Sequence, residues 1–136
     1  MKYLGVLLLV LSGNVMAGEV YYCSDVDANG FFPENGKYKA ANFTDRKFKM
    51  KLRDDGHIDI ENPKLKSGLE DYICSTVYNN ILPAYKAMKS CALESNNGNL
   101  FNFNPDNGRY TWFRGGGYVF NNEDTVSTRI GTCTKF

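Results

Sequence analysis

The chain has almost none of the groups from which enzyme and cofactor sites are commonly built. It holds one histidine among 136 residues, so a His-rich metal centre or a mechanism with two histidines is excluded. No serine or cysteine stands in a Gly-x-Ser-x-Gly setting. Gly115-Gly116-Gly117 lacks the lysine and following helix of a phosphate-cradling loop. None of the four cysteines shows Cys-x-x-Cys spacing, which argues against a redox pair or a zinc knuckle. No run approaches the eighteen apolar residues of a membrane-spanning helix. Charge of one sign is missing too: 16 Lys and Arg face 15 Asp and Glu, and without Lys2 the balance is 15 to 15. A neutral domain without a basic cluster offers no footprint for nucleic acid or an anionic membrane surface.

What is present starts with an address. Lys2, the short apolar run Leu4 to Leu11 and the small-residue site Val15-Met16-Ala17 have the layout of a secretory signal peptide over residues 1–17. Cleavage near Ala17 leaves residues 18–136 as a single domain in the periplasm or outside the cell, where disulfides persist. Gly18 rather than Cys follows the site, so a lipoprotein anchor has no attachment point. The preferred disulfide pairing is Cys23–Cys133, joining the first strand to the last, with Cys74–Cys91 closing a short excursion. Each is expected to contribute roughly 3–5 kcal/mol.

Nineteen aromatics, in alternating patterns broken by Asn-Gly and Asp-Gly, predict an all-β chain. Seven to nine short antiparallel strands, about eight, are expected as a meander closing into a small barrel or flattened sandwich. Val20 to Asp25 reads as the first strand and Lys37 to Phe43 as the second. In Arg46 to Glu61, a three-residue loop at Asp54-Asp55-Gly56 pairs Leu52 with Ile58 and Met50 with Ile60. It leaves Lys51 opposite Asp59, whereas a two-residue loop would mix the faces. The four residues Pro105 to Gly108 likewise set Phe103 opposite Tyr110 and Phe101 opposite Trp112. Residues 69–80 fit a short helix and a strand equally. Tyr85 to Ser95 reads as a strand, Gly115 to Gly117 as a sharp bend, and Tyr118 to Phe120 with Thr125 to Phe136 as a final pair.

Asp25-Val26-Asp27-Ala28-Asn29-Gly30 matches the start of a calcium loop. The twelfth position is Gly36, however, and no helix precedes the segment, so Asp25, Asp27 and Asn29 read as a polar turn. His57 beside Gly56 reads as a turn residue. Neither metal nor cofactor is expected. Phe113 is out of phase with Trp112, so one of the two must face away from the apolar side. Tyr110, Trp112, Phe113 and Arg114 are therefore the candidate contact residues. They point to a monomeric binding module for a protein or a small apolar ligand, and not to an enzyme. The alternatives are a small secreted hydrolase using paired carboxylates and a structural envelope component.

Tyr21-Tyr22-Cys23 and Gly131-Thr-Cys-Thr-Lys-Phe136 resemble the ends of a loose group of small exported bacterial proteins. So do Asn102-Phe103-Asn104 to Gly108-Arg109-Tyr110 and Asp124-Thr125. The resemblance implies an envelope or secreted location and brings no established function. The chain is similar in size and expected architecture to periplasmic inhibitors of c-type lysozyme, but their Ser-Gly-x-x-Tyr signature is unmatched: Ser67-Gly68 to Tyr72 has one residue too many.

Overall fold

The computed structural model describes residues 18–78, 87–95, 98–120 and 124–136. The predicted signal peptide, Asn79 and Asn80 of the ambiguous segment, the start of the predicted strand at Tyr85 and residues 121–123 between the predicted final pair lie outside them. Nine strands follow in order: β1 (Gly18–Glu34), β2 (Lys37–Asn42), β3 (Lys47–Arg53), β4 (Ile58–Glu61), β5 (Leu69–Tyr78), β6 (Ala87–Leu93), β7 (Leu100–Phe103), β8 (Arg109–Arg114) and β9 (Val126–Lys135). A short helix, α1 (Gly116–Phe120), precedes β9. All pairings are antiparallel, and β1 also pairs with β9, so eight strands close into a barrel while β2 extends the sheet as one extra strand. Closure leaves those eight without a free edge over their paired lengths.

Local patterning sets the two central hairpins. Met50 faces Ile60 and Leu52 faces Ile58, with Lys51 opposite Asp59 on the outside. Gly56 takes the left-handed conformation (φ 85°) that this three-residue loop requires. The other hairpin sets Phe101 opposite Trp112 and Phe103 opposite Tyr110, and the amide of Asn104 reaches the carbonyl of Arg109 across the turn. Both registers are those that the alternation predicts. Disulfides join Cys23 to Cys133 and Cys74 to Cys91, in each case between directly opposed residues. No described helix is long and apolar enough to cross a membrane, and two disulfides fit an extracellular or periplasmic protein.

One open alternative is decided and two expectations are corrected. Residues 69–78 are strand throughout rather than a short helix, because β4 and β6 satisfy the backbone groups on both edges. The first strand does not stop at Asp25: it runs to Glu34, so the predicted polar turn is extended chain. A bulge between Asp25 and Asp27 re-phases the strand against β9. Tyr118 to Phe120 is helical, not strand. There the Tyr118 ring packs edge-on against Tyr38 of β2, whose hydroxyl donates to the Asp124 carbonyl at 2.7 Å.

The interior is aromatic. Tyr72, Phe101, Phe103, Tyr110 and Trp112 fill its centre with Met50, Ile58 and Ile60, and Phe48 packs against the cluster. Phe101 stacks on Tyr110 at 5.4 Å between centroids and meets Trp112 edge-on at 5.8 Å.

Candidate functional site

Two places combine unusual chemistry with defined geometry. The first is inside the barrel. Asp25 projects inward from β1, its side chain fully buried, and meets the guanidinium of Arg129 from β9. The Tyr110 hydroxyl donates to Asp25 Oδ1 at 2.6 Å, and the Arg46 amide donates to Oδ2 at 2.8 Å. Arg129 also donates to the Thr44 carbonyl at 3.1 Å. Gly131 makes this cluster possible: a Cβ there would collide with the Tyr110 hydroxyl and the Ser24 carbonyl. A second cluster surrounds Glu70 on β5. It accepts from Arg114, from Asn62 Nδ2 at 2.9 Å and from the Tyr72 hydroxyl at 3.1 Å. Trp112 Nε1 donates to the same Tyr72 oxygen at 3.0 Å, and the Arg114 guanidinium lies 4.8 Å from the centre of the Trp112 ring.

Burial pushes the phenols of Tyr72 and Tyr110 well above their ordinary range, and neighbouring carboxylates add to the shift. Both tyrosines are therefore fixed as proton donors. The arrangement is that of paired and hydrogen-bonded interior charge, with each carboxylate matched to its own arginine. No group of three His, Cys, Asp or Glu side chains among the described residues could hold a metal ion. Of the calcium candidates, Asp25 is enclosed in the Arg129 cluster, while Asp27 and Asn29 are exposed.

The predicted contact residues separate. Tyr110 and Trp112 are core, because strand alternation and the register with β7 turn them inward. Trp112 offers no contact surface, and Tyr110 only borders the groove described below. Arg114 follows Trp112 in the same phase and folds against its ring and Glu70, leaving its side chain 26% exposed. Only Phe113 faces outward, opposite Leu100 on β7.

The second place is a groove of about 950 Å³ on the outside of the sheet, at the end carrying the Pro105–Gly108 turn. Its apolar lining includes Val26 from the β1 bulge, Val77 from β5, Met88 from β6 and Ile130 from β9. These four are 39–65% exposed. The sheet registers align part of it directly, with Asn102 opposite Thr111 and Thr111 opposite Ile130. Asn104, Asn107 and Arg109 line the turn end. Sequence reasoning directed attention to this hairpin but to its inward aromatics. The available signal was Ile130, an apolar side chain on the outward phase of β9 between inward Arg129 and Gly131.

No protein-family model matches the chain, and no curated protein matches it. Among solved structures, the chain is similar to a multidomain protein including DUF1735 from Bacteroides ovatus, at 12% identity over 88% of this chain, with a TM-score of 0.21. The match spans 48% of that protein's chain. A likeness of that strength carries no inference about fold or activity.

Proposed function

We propose that the protein is an exported binding module of the bacterial envelope or extracellular space, its signal peptide cleaved near Ala17, and that it takes an apolar ligand in the groove beside the Pro105–Gly108 turn. The groove itself carries the reading. Interior positions of the barrel are filled by aromatics, so Val26, Val77, Met88 and Ile130 add nothing to core packing, yet all four converge on one concave surface. The two disulfides and the likeness of the chain's ends to small exported proteins support the setting.

A carboxylate hydrolase is the weaker reading. It needs one carboxyl free to give a proton and another free to take one. Asp25 and Glu70, the buried carboxylates among the described residues, are each engaged by an arginine and by tyrosine.

Titration with the neutral apolar dye Nile red tests the proposal. The oxidised protein is expected to bind it saturably at one site, and Ile130→Glu combined with Met88→Glu is expected to weaken that binding at least about tenfold, the loss of roughly two buried methylene contacts. Dye binding that is absent, or untouched by both substitutions, would remove the groove as the site.

A further inference from the structure

The groove is apolar on its two flanks, Val26 with Ile130 and Val77 with Met88; between them Asn102 and Thr111 satisfy each other by a hydrogen bond, and charge enters only at the turn end. Arg109 is the only charged residue among those described that line it, and it takes part in none of the salt bridges among the described residues. Register places Arg109 opposite Thr132, two positions nearer the turn than the Thr111–Ile130 pair and on the same face. Two asparagines reinforce the charge. Asn104 spends its side-chain oxygen on the Asp106 amide at 2.9 Å, and Asn107 spends its own on the Arg109 amide at 2.9 Å. Each turn bond consumes an acceptor and leaves an NH2 group as a donor. The turn end thus offers a guanidinium and two amide donors, and no carboxylate lines the groove among the described residues. Asp106, on the same turn, is not part of the lining.

The groove runs across several strands. From Met88 on β6 to Val26 on β1 it crosses β7, β8 and β9, which at about 4.8 Å per strand is roughly 19 Å of wall. That extent suits a single extended chain better than a compact ring system.

Resting on the reading of this groove as a binding site, we propose that its ligand is a free single-chain carboxylate. Its acyl chain lies along Val26, Val77, Met88 and Ile130, and its carboxylate is held by Arg109 with the amides of Asn104 and Asn107. The donor set selects an anion, the absence of acids in the lining disfavours a cationic amphiphile, and the groove's length selects an extended tail.

Displacement of Nile red from the oxidised full-chain product tests this with four probes: dodecanoate below its micelle concentration, dodecanol, hexanoate, and vesicles of phosphatidylcholine with phosphatidylglycerol. Dodecanoate is expected to displace the dye about tenfold more tightly than dodecanol. Each methylene laid on apolar surface adds up to about fourfold, so hexanoate is expected to be weaker than dodecanoate by more than about a hundredfold. Arg109→Gln is expected to bring the preference for dodecanoate over dodecanol down to near one, and Arg109→Lys to restore most of it. Arg109 is exposed, so both variants keep the fold, checked by near-ultraviolet circular dichroism. Equal displacement by dodecanoate and dodecanol would overturn the carboxylate assignment and leave the groove standing. Equal binding of hexanoate and dodecanoate would overturn the acyl tail. Vesicle binding without monomer binding would replace a free ligand with a membrane surface. Failure of Nile red itself to bind would instead remove the groove reading beneath the proposal.

Discussion

The aromatic centre of the barrel and the Asp25 cluster are equally closed to solvent and are held by different means. Phe101 and the side chain of Asp25 are both fully enclosed. Around Phe101 the partners are rings whose contacts depend on shape, and a displaced ring can re-pack. Around Asp25 the partners are a guanidinium, a phenol and a backbone amide, each supplying a directed donor. Shape tolerates substitution gradually, whereas a charge network is either complete or costly. The Nε atoms of Arg114 and Arg129, buried without an acceptor among the described residues, mark where these networks leave a donor unpaired within that set.

The largest effects separate the two regions by how they recover. Phe101→Ala and Asp25→Ala are each expected to cost about 3–5 kcal/mol, the first by opening a cavity and the second by stranding the Arg129 charge. Urea denaturation followed by circular dichroism measures both. A second substitution then distinguishes them. Arg129→Met on top of Asp25→Leu is expected to return stability to near the starting value, because an apolar pair removes the uncompensated charge along with its partner. No partner substitution next to Phe101→Ala restores the lost volume so simply. If Asp25→Leu with Arg129→Met is as unstable as Asp25→Ala, the pair is not the device that holds this part of the barrel.

Removing one donor instead of a partner should cost less. Tyr110→Phe keeps the ring that stacks on Phe101 and deletes the 2.6 Å hydrogen bond to Asp25. The expected loss is about 1.5–3 kcal/mol, the range for a hydrogen bond to a charged group. A loss near zero would mean that Tyr110 belongs to the aromatic centre alone.

The same division separates what could be read from the sequence from what could not. The aromatic pairs of β7 and β8 were legible because Pro105 to Gly108 fixes the register over a few residues, and alternation then decides which face is buried. The Asp54–Gly56 hairpin was legible for the same reason. The charged clusters were not. Asp25 meets Arg129 across 104 positions, and only barrel closure through β1 and β9 brings them together. The unexpected length of β1 has the same origin, since its continuation past Asp25 is paired by β9 and β2. Leu69 to Val77 was ambiguous because its apolar spacing fits two periods, and its neighbours in the sheet decide for the strand. For the groove, the hairpin at its turn end was legible and the wall was not: Val26, Val77, Met88 and Ile130 come from four strands, and only Ile130, apolar on an outward phase, carries a local signal.

Alkaline titration sharpens the contrast at the smallest scale, because the buried tyrosines are divided between the two regions. Tyr21 packs against Phe103 at the aromatic centre, and burial, with its hydrogen bond to Glu19, pushes its phenol up to about 12. Tyr72 and Tyr110 reach buried carboxylates, where Tyr21 reaches the exposed Glu19, and are raised as well, burial again being the first cause. An unfolded tyrosine ionises near pH 10. Between pH 10 and 12 the unfolded chain therefore binds fewer protons than the folded one, and stability falls as pH rises. The contribution of Tyr21 is complete below about pH 10 and is lost as pH climbs through 12. Tyr21→Phe should flatten the decline in that window by up to one proton, read from urea midpoints at stepped pH alongside tyrosinate absorbance. Tyr110→Phe should also flatten it, but from a lower starting stability, since only Tyr110 loses a bond to a buried carboxylate. Identical slopes for the wild type and Tyr21→Phe would mean that Tyr21 ionises as freely in the fold as outside it, and that the aromatic centre is not closed to charge.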